Sequence, residues 1–175
     1  MSVIGVALTA SANRRSSIVG LEGGENPRLS WVDTFSGDEE FLRIVASRSP
    51  QVVAIGSSVS LPLGLDCLEP ECSTCIPSPN TRGRQAEREF AEVGIHTFYT
   101  MKGSIVTPLI YRGVALRNQL RDRRVNVIET YPHATAVLLF GNNVPKRGTP
   151  EKVKFLKLHL GEYIAWLKPY DRLIN

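Results

Sequence analysis

"VVAIGSSVSL", Val52–Leu61, is the stretch on which the fold turns. Its first four residues are apolar without alternation, the mark of a strand covered on both faces. They empty into a small polar turn, Gly56-Ser57-Ser58. In an α/β protein the carboxyl end of a strand is where a site residue usually stands. Here that position holds a glycine.

Upstream, "SVIGVAL", "SSIVGL" and "RLSWVDTF" read as three short strands, the last two separated by the turn-rich "EGGENP". Consecutive strands of this kind predict a meander. Ser36 and Glu39 then form a capping-box pattern, with Asp38 and Glu40 in the first helical turn. Phe41, Leu42, Val45 and Ala46 supply the apolar face of that helix, and Pro50 closes it.

Downstream, residues 60–83 form a long loop with prolines at 62, 70, 77 and 79. A loop of that length is usually functional or disordered. Ala86, Phe90 and Val93 sit at helical spacing, with Gly94 as a stop. Thr107-Pro108 reads as N-cap and first helical residue, with Leu109, Leu116 and Leu120 on the core face. "VNVIETYP" is another strand, and Thr149-Pro150 opens a last helix that Gly161 ends. The order suits an α/β fold, a mixed sheet with helices on its faces.

The 175 residues fit one domain, 1–175. No apolar run is long enough to span a membrane, and "MSVIGVALTA" lacks the basic start of a signal peptide. These features predict a cytoplasmic protein without a membrane partner. A formal net charge of +4 permits a DNA or RNA partner but does not demand one. Cys67, Cys72 and Cys75 crowd one loop, and an odd number of cysteines inside a cell argues against a disulfide framework.

Glu129 is the sharpest single residue. It shares a strand face with Val125 and Val127, because side chains alternate with period two. A carboxylate there could hold a metal ion, or it could simply reach water. Metal-assisted phosphoryl chemistry with magnesium or manganese needs several oxygen ligands, since two cations about 3.5–4 Å apart must be neutralised. By position the partners would stand at Ala7 and Gly56, and neither offers a ligating side chain. Asp33, Asp38, Glu87 and Asp171 are further acids without an assigned place. His133, in "YPHA", could act as a general acid–base group or cap the next helix.

Arg117, Arg121 and Arg124 fall at i, i+4 and i+7, a basic stripe on one helix. Arg84 and Arg88 pair on the preceding helix, and Lys102 and Arg112 stand near helix starts. Such rows track nucleic-acid phosphates. Interleaved Glu87, Glu89, Glu92 and Asp122 support a plain solvated face equally well. Phe98, Tyr99 and Tyr111 could stack on unpaired bases, although packing is their commoner use. Cys67-x4-Cys72-x2-Cys75 contains the C-x2-C pair of zinc sites but only three ligands. His96 would complete the set if the loop folded back onto it.

"VIGVALTAS", "VVAIGSSVSLP", "GRQAEREFAEVGI", "YRGVALRNQL" and "VIETYPHATAVLLFG", in that order, resemble the uncharacterised domain family of predicted RNase H-like nucleases. The resemblance covers nearly the whole chain. It implies an RNase H-like, five-stranded mixed sheet with the meander first and helices around it. It also implies aspartates where this chain has Ala7 and Gly56, a metal-binding glutamate at Glu129, and a final acidic helix beyond "YDRLIN". One implied acid survives, so the expectation is a nuclease relative with impaired cleavage. The alternatives are a non-catalytic nucleic-acid-binding module and a small-molecule or protein-interaction domain. "GVALTASANRRSS" also resembles the phosphate loop of actin-like and sugar-kinase folds, with Ser11, Ser16 and Ser17 available; Ser57 and Ser58 form a second polar turn. Those folds need a second domain for which 175 residues leave no room.

Overall fold

The computed structural model describes residues 1–77, 82–146 and 148–167. Strands β1 (Ser2–Ala7), β2 (Ser16–Glu22) and β3 (Arg28–Phe35) form an antiparallel meander. β4 (Val52–Ile55) then lies parallel to β1, and β5 (Asn126–Glu129) parallel to β4. The five-stranded mixed sheet has the order β3-β2-β1-β4-β5. The helices are α1 (Asp38–Arg48), α2 (Gln85–Glu92), α3 (Thr107–Asp122), α4 (Pro132–Phe140) and α5 (Pro150–Leu160). None of the helices among these residues is long and apolar enough to cross a membrane.

β4 is an interior strand between β1 and β5, and its apolar run follows from that place: Val53 and Ile55 are fully buried, and Val52 and Ala54 are half-buried. The main core lies on one sheet face. Ile4, Val6, Ile18, Phe35, Val53 and Ile55 meet Phe41 and Val45 of α1 and Leu116 and Leu120 of α3 there. Phe35 and Phe41 stack with ring centroids 5.1 Å apart. A second, smaller core sits under the long loop, where Leu65, Leu68 and Cys75 pack on Ile110 of α3.

Two helix starts differ from the sequence reading. α1 has Gly37, not Ser36, at its N-cap, and no side chain caps it. The Glu40 carboxylate instead accepts the Ser36 amide at 2.7 Å. At α3, Thr107 is already helical, and its hydroxyl donates back to the Ser104 carbonyl at 2.6 Å. α5 starts as expected: Thr149 caps it by accepting the Lys152 amide at 3.3 Å, with Pro150 next and Gly161 at the end.

Candidate functional site

The parallel register sets Val6, Ile55 and Glu129 side by side at the carboxyl ends of β1, β4 and β5. The Gly56 amide donates to the Val6 carbonyl at 2.8 Å, and the Thr130 amide to the Ile55 carbonyl at 2.9 Å. The three strand tips therefore adjoin, as the sequence reading required. Their side chains do not share one face. Glu129 is in register with Ile55 and leaves the sheet on the core side, whereas Ala7 follows Val6 and pairs with exposed Ser17 on the other side. A Cβ on Gly56 would lie 3.1 Å from the Val6 carbonyl oxygen and 3.8 Å from the Ala7 Cα, a tight contact for which the β1 backbone must give by a few tenths of an ångström.

Glu129 is held by Arg84. The guanidinium grips both carboxylate oxygens, Nη1 at 2.6 Å and Nη2 at 2.5 Å. The Val59 amide adds a third bond to Glu129, at 2.9 Å. Arg84 also reaches the hydroxyls of Ser58 (3.0 Å) and Ser60 (3.2 Å), and its Nε donates to Glu87 at 2.8 Å. Glu87 is buried and in turn accepts the Thr100 amide at 2.7 Å and the Thr100 hydroxyl at 2.5 Å. Burial pulls the Arg84 pKa down, but the carboxylates of Glu129 and Glu87 outweigh it and the net shift is upward. One cation between two acids, with hydroxyls on the remaining donors, is a satisfied network.

This arrangement gives the expected magnesium or manganese site no support. A bidentate guanidinium occupies the carboxylate that a divalent cation would need, and the positions beside it offer Ala7 and Gly56. Among the described residues, no group of three metal-ligating side chains forms around Glu129. Asp33 is exposed on β3, Asp38 is engaged elsewhere, and Asp171 lies outside the described residues.

Arg112 is also buried rather than presented to phosphate. Its Nε donates to Asp38 at 2.7 Å. Its Nη1 donates to the Thr9 carbonyl at 2.8 Å and reaches the Ser16 hydroxyl at 3.2 Å and the Ser11 carbonyl at 3.4 Å. The β1–β2 loop thus turns carbonyl oxygens toward a cation. A phosphate-cradling loop would turn amides inward. Ser11 and buried Ser16 are accordingly part of the Arg112 anchorage. The basic stripe on α3 is shorter than its spacing implies, because Arg124 lies past the helix end with φ of 60°. Arg121 remains exposed and Arg117 half-buried.

The remaining basic residues gather elsewhere. A cleft of about 800 Å³ opens between the loop segment Ser60–Leu65 and α2, and its basic wall is Arg82, Arg84, Arg88 and Lys102. Ser60 and Thr100 line it too, and among the described residues no acid does. The Arg82 guanidinium rests over the Tyr99 ring, 4.7 Å from its centroid. Arg88 donates to the Gly83 carbonyl at 3.0 Å, and Lys102 to the Cys72 carbonyl at 2.5 Å. Gly83 itself has φ of +66°, and a Cβ there would collide with the Glu87 carboxylate and the Tyr99 ring. Arg82 escaped the sequence reading, although the basic pair flanking Gly83 was its signal.

Ser57 and Ser58 sit against α3 at Gly113, where an added Cβ would strike the Ser57 hydroxyl and the Ser58 carbonyl. His133 is away from the cleft lining, with its Nδ1 2.7 Å from the Lys152 ammonium and its ring edge-on to Tyr131. An ammonium donates, so Nδ1 is the accepting nitrogen. Phe98 is exposed. Tyr111 is a packing residue whose hydroxyl accepts the Leu68 amide at 2.6 Å and donates to Glu69 at 3.1 Å. Burial raises its pKa.

The loop cysteines do converge. The Sγ atoms of Cys67, Cys72 and Cys75 all lie within 4.8 Å of one another, a group that could hold a metal ion such as zinc. His96 does not join them; its carbonyl accepts from the Tyr131 hydroxyl at 3.3 Å. The Cys72 thiol is lowered to about 6, first by the Thr74 hydroxyl and then by Cys67. The Cys67 thiol is pushed up to about 11: a bond from the Glu69 backbone lowers it, but the other two thiols raise it more.

No protein-family model matches this chain, and neither does any curated protein or any solved structure.

Proposed function

We propose that this chain is an RNase H-like domain that binds a single-stranded nucleic acid through its basic cleft and does not cleave it by a metal-dependent route. The observation that carries this reading is the division of charge around Arg84. On one side its guanidinium neutralises Glu129, the acid that would otherwise seat a cation. On the other side Arg82, Arg88 and Lys102 line a cleft with no acid among the described residues of its wall. Strand order and strand directions agree with the fold implied by the resemblance. A row of positive charge is the element by which a sequence-tolerant site tracks a phosphate backbone, and the Arg82 guanidinium in it is braced on the Tyr99 ring.

Fluorescence anisotropy with labelled single-stranded DNA and RNA tests it. Affinity should fall steeply with salt, with a log–log slope of roughly −0.7 per neutralised phosphate. The triple variant Arg82→Ala, Arg88→Ala, Lys102→Ala should lose most of that slope. Neither magnesium nor manganese should produce cleavage. Cleavage that is abolished by Glu129→Gln would overturn the reading, as would binding indifferent to salt. A cleft of this volume also suits one small anionic ligand. Saturable binding of a mononucleotide with no gain from a longer strand would favour that second reading.

A further inference from the structure

We propose that Cys67, Cys72 and Cys75 form a zinc site, three thiolates and one exchangeable fourth position, that closes the loop on itself where it packs against α3. The proposal does not rest on any role for the cleft in nucleic-acid binding, although Lys102 also lines that cleft.

Three observations converge on it. The three sulfurs already lie within 4.8 Å of one another, and Cys67 and Cys75 are 3.4 Å apart. Tetrahedral zinc with Zn–S bonds of about 2.3 Å sets its sulfurs roughly 3.8 Å apart, so only small shifts are needed. The charge balance also fits. A zinc ion with three thiolates carries one net negative charge, and the Lys102 ammonium is fixed on the Cys72 carbonyl beside it. The third observation is the setting. Among the described residues the loop core has Leu65, Leu68, Cys75 and Ile110 buried, a small apolar store for so long a segment. Metal binding supplies folding free energy where apolar burial is thin. A Cys67–Cys75 disulfide is the competing chemistry, but it would leave Cys72, whose sulfur lies within 4.8 Å of both, without a function.

The fourth ligand is water or a small exogenous donor. No fourth His, Cys, Asp or Glu among the described residues joins the group.

Cobalt(II) titration of the reduced full chain is the direct test. One equivalent should produce the thiolate-to-cobalt charge-transfer absorption and the intense visible bands of a tetrahedral site, and one equivalent of zinc should bleach them. Cys75→Ser should remove the signal. Because Cys75 is buried and that variant could unsettle the loop, Cys72→His provides a second arm: it keeps a ligand atom and should retain a blue-shifted spectrum. Zinc should also slow amide exchange at Gly103, whose N–H bonds the Leu68 carbonyl across the loop. The proposal fails if cobalt gives no charge-transfer band while all three thiols react with Ellman's reagent equally fast with and without zinc. It fails equally if chain purified without reductant carries a Cys67–Cys75 disulfide and its reduced form binds no cobalt. Neither result bears on the oligonucleotide assay, so the two readings can fall separately.

Discussion

One helix serves two unequal cores. The last turns of α3 give Leu116 and Leu120 to the main core, where two stacked phenylalanines and aliphatic side chains from β1, β2, β4 and β5 surround them. Its first turns give Ile110, with Val106, Tyr111 and Val114 around it, to the small core beneath the cysteine loop. The first region is held by continuous apolar burial. The second is held by a few contacts and by polar ties such as Tyr111 to Leu68 and Lys102 to Cys72. The difference teaches that the cleft is built on the weaker half of the molecule, since Leu61 and Leu65 of the loop form part of its wall. Segments with few buried contacts open at lower free energy than the global fold.

The largest effect should come from the strong side. Phe41→Ala should cost about 3–5 kcal/mol, seen as a lower urea midpoint for the whole chain. Arg112→Met should follow at about 1.5–3 kcal/mol, because Asp38 and the Thr9 carbonyl lose a charged donor. Asp38 is a third exposed and can recover part of that loss from water. Leu68→Ala should leave the urea midpoint nearly where it was while raising amide exchange at Gly103 and protease sensitivity between residues 61 and 77. If Leu68→Ala lowers the midpoint as much as Phe41→Ala does, the two cores are one cooperative unit and the contrast is broken.

The smallest expected effect is a pH dependence confined to the loop. Tyr111 has its pKa raised above that of the unfolded chain, so folding favours the protonated phenol. Its contribution is fully present below the ordinary tyrosine value of about 10 and is lost as pH rises through the higher folded value. Amide exchange at Leu68, corrected for its intrinsic rate, should therefore accelerate above about pH 10. Tyr111→Phe should remove that inflection, and the main core should show none at the same pH.

Much of the sheet was legible in the sequence because each strand carries its own signal. The unbroken "VVAI" run marks an interior strand, and "EGGENP" marks the turn between two others. Thr149-Pro150 and Gly161 bracket α5 by local chemistry alone. The α1 cap was misread because capping-box spacing does not say which way a carboxylate will bend, and Glu40 took the amide. The site was legible in part. Register arguments bring Ala7, Gly56 and Glu129 to adjoining strand tips. That Arg84 would turn inward onto Glu129, 45 residues away, leaves no trace in local spacing. Arg112 looked like one of several surface cations for the same reason: its partners, Thr9 and Asp38, are separated from it by more than seventy residues.

That last tether fixes an order of events during synthesis. A nascent chain that has not yet delivered Arg112 can pair β1 with β2 and β3, but the turn at Thr9–Ser16 and the start of α1 lack the guanidinium that later locks them together. The N-terminal third must therefore wait, partly formed, on a residue made well after it, and a ribosome paused before that point holds a meander without its clasp.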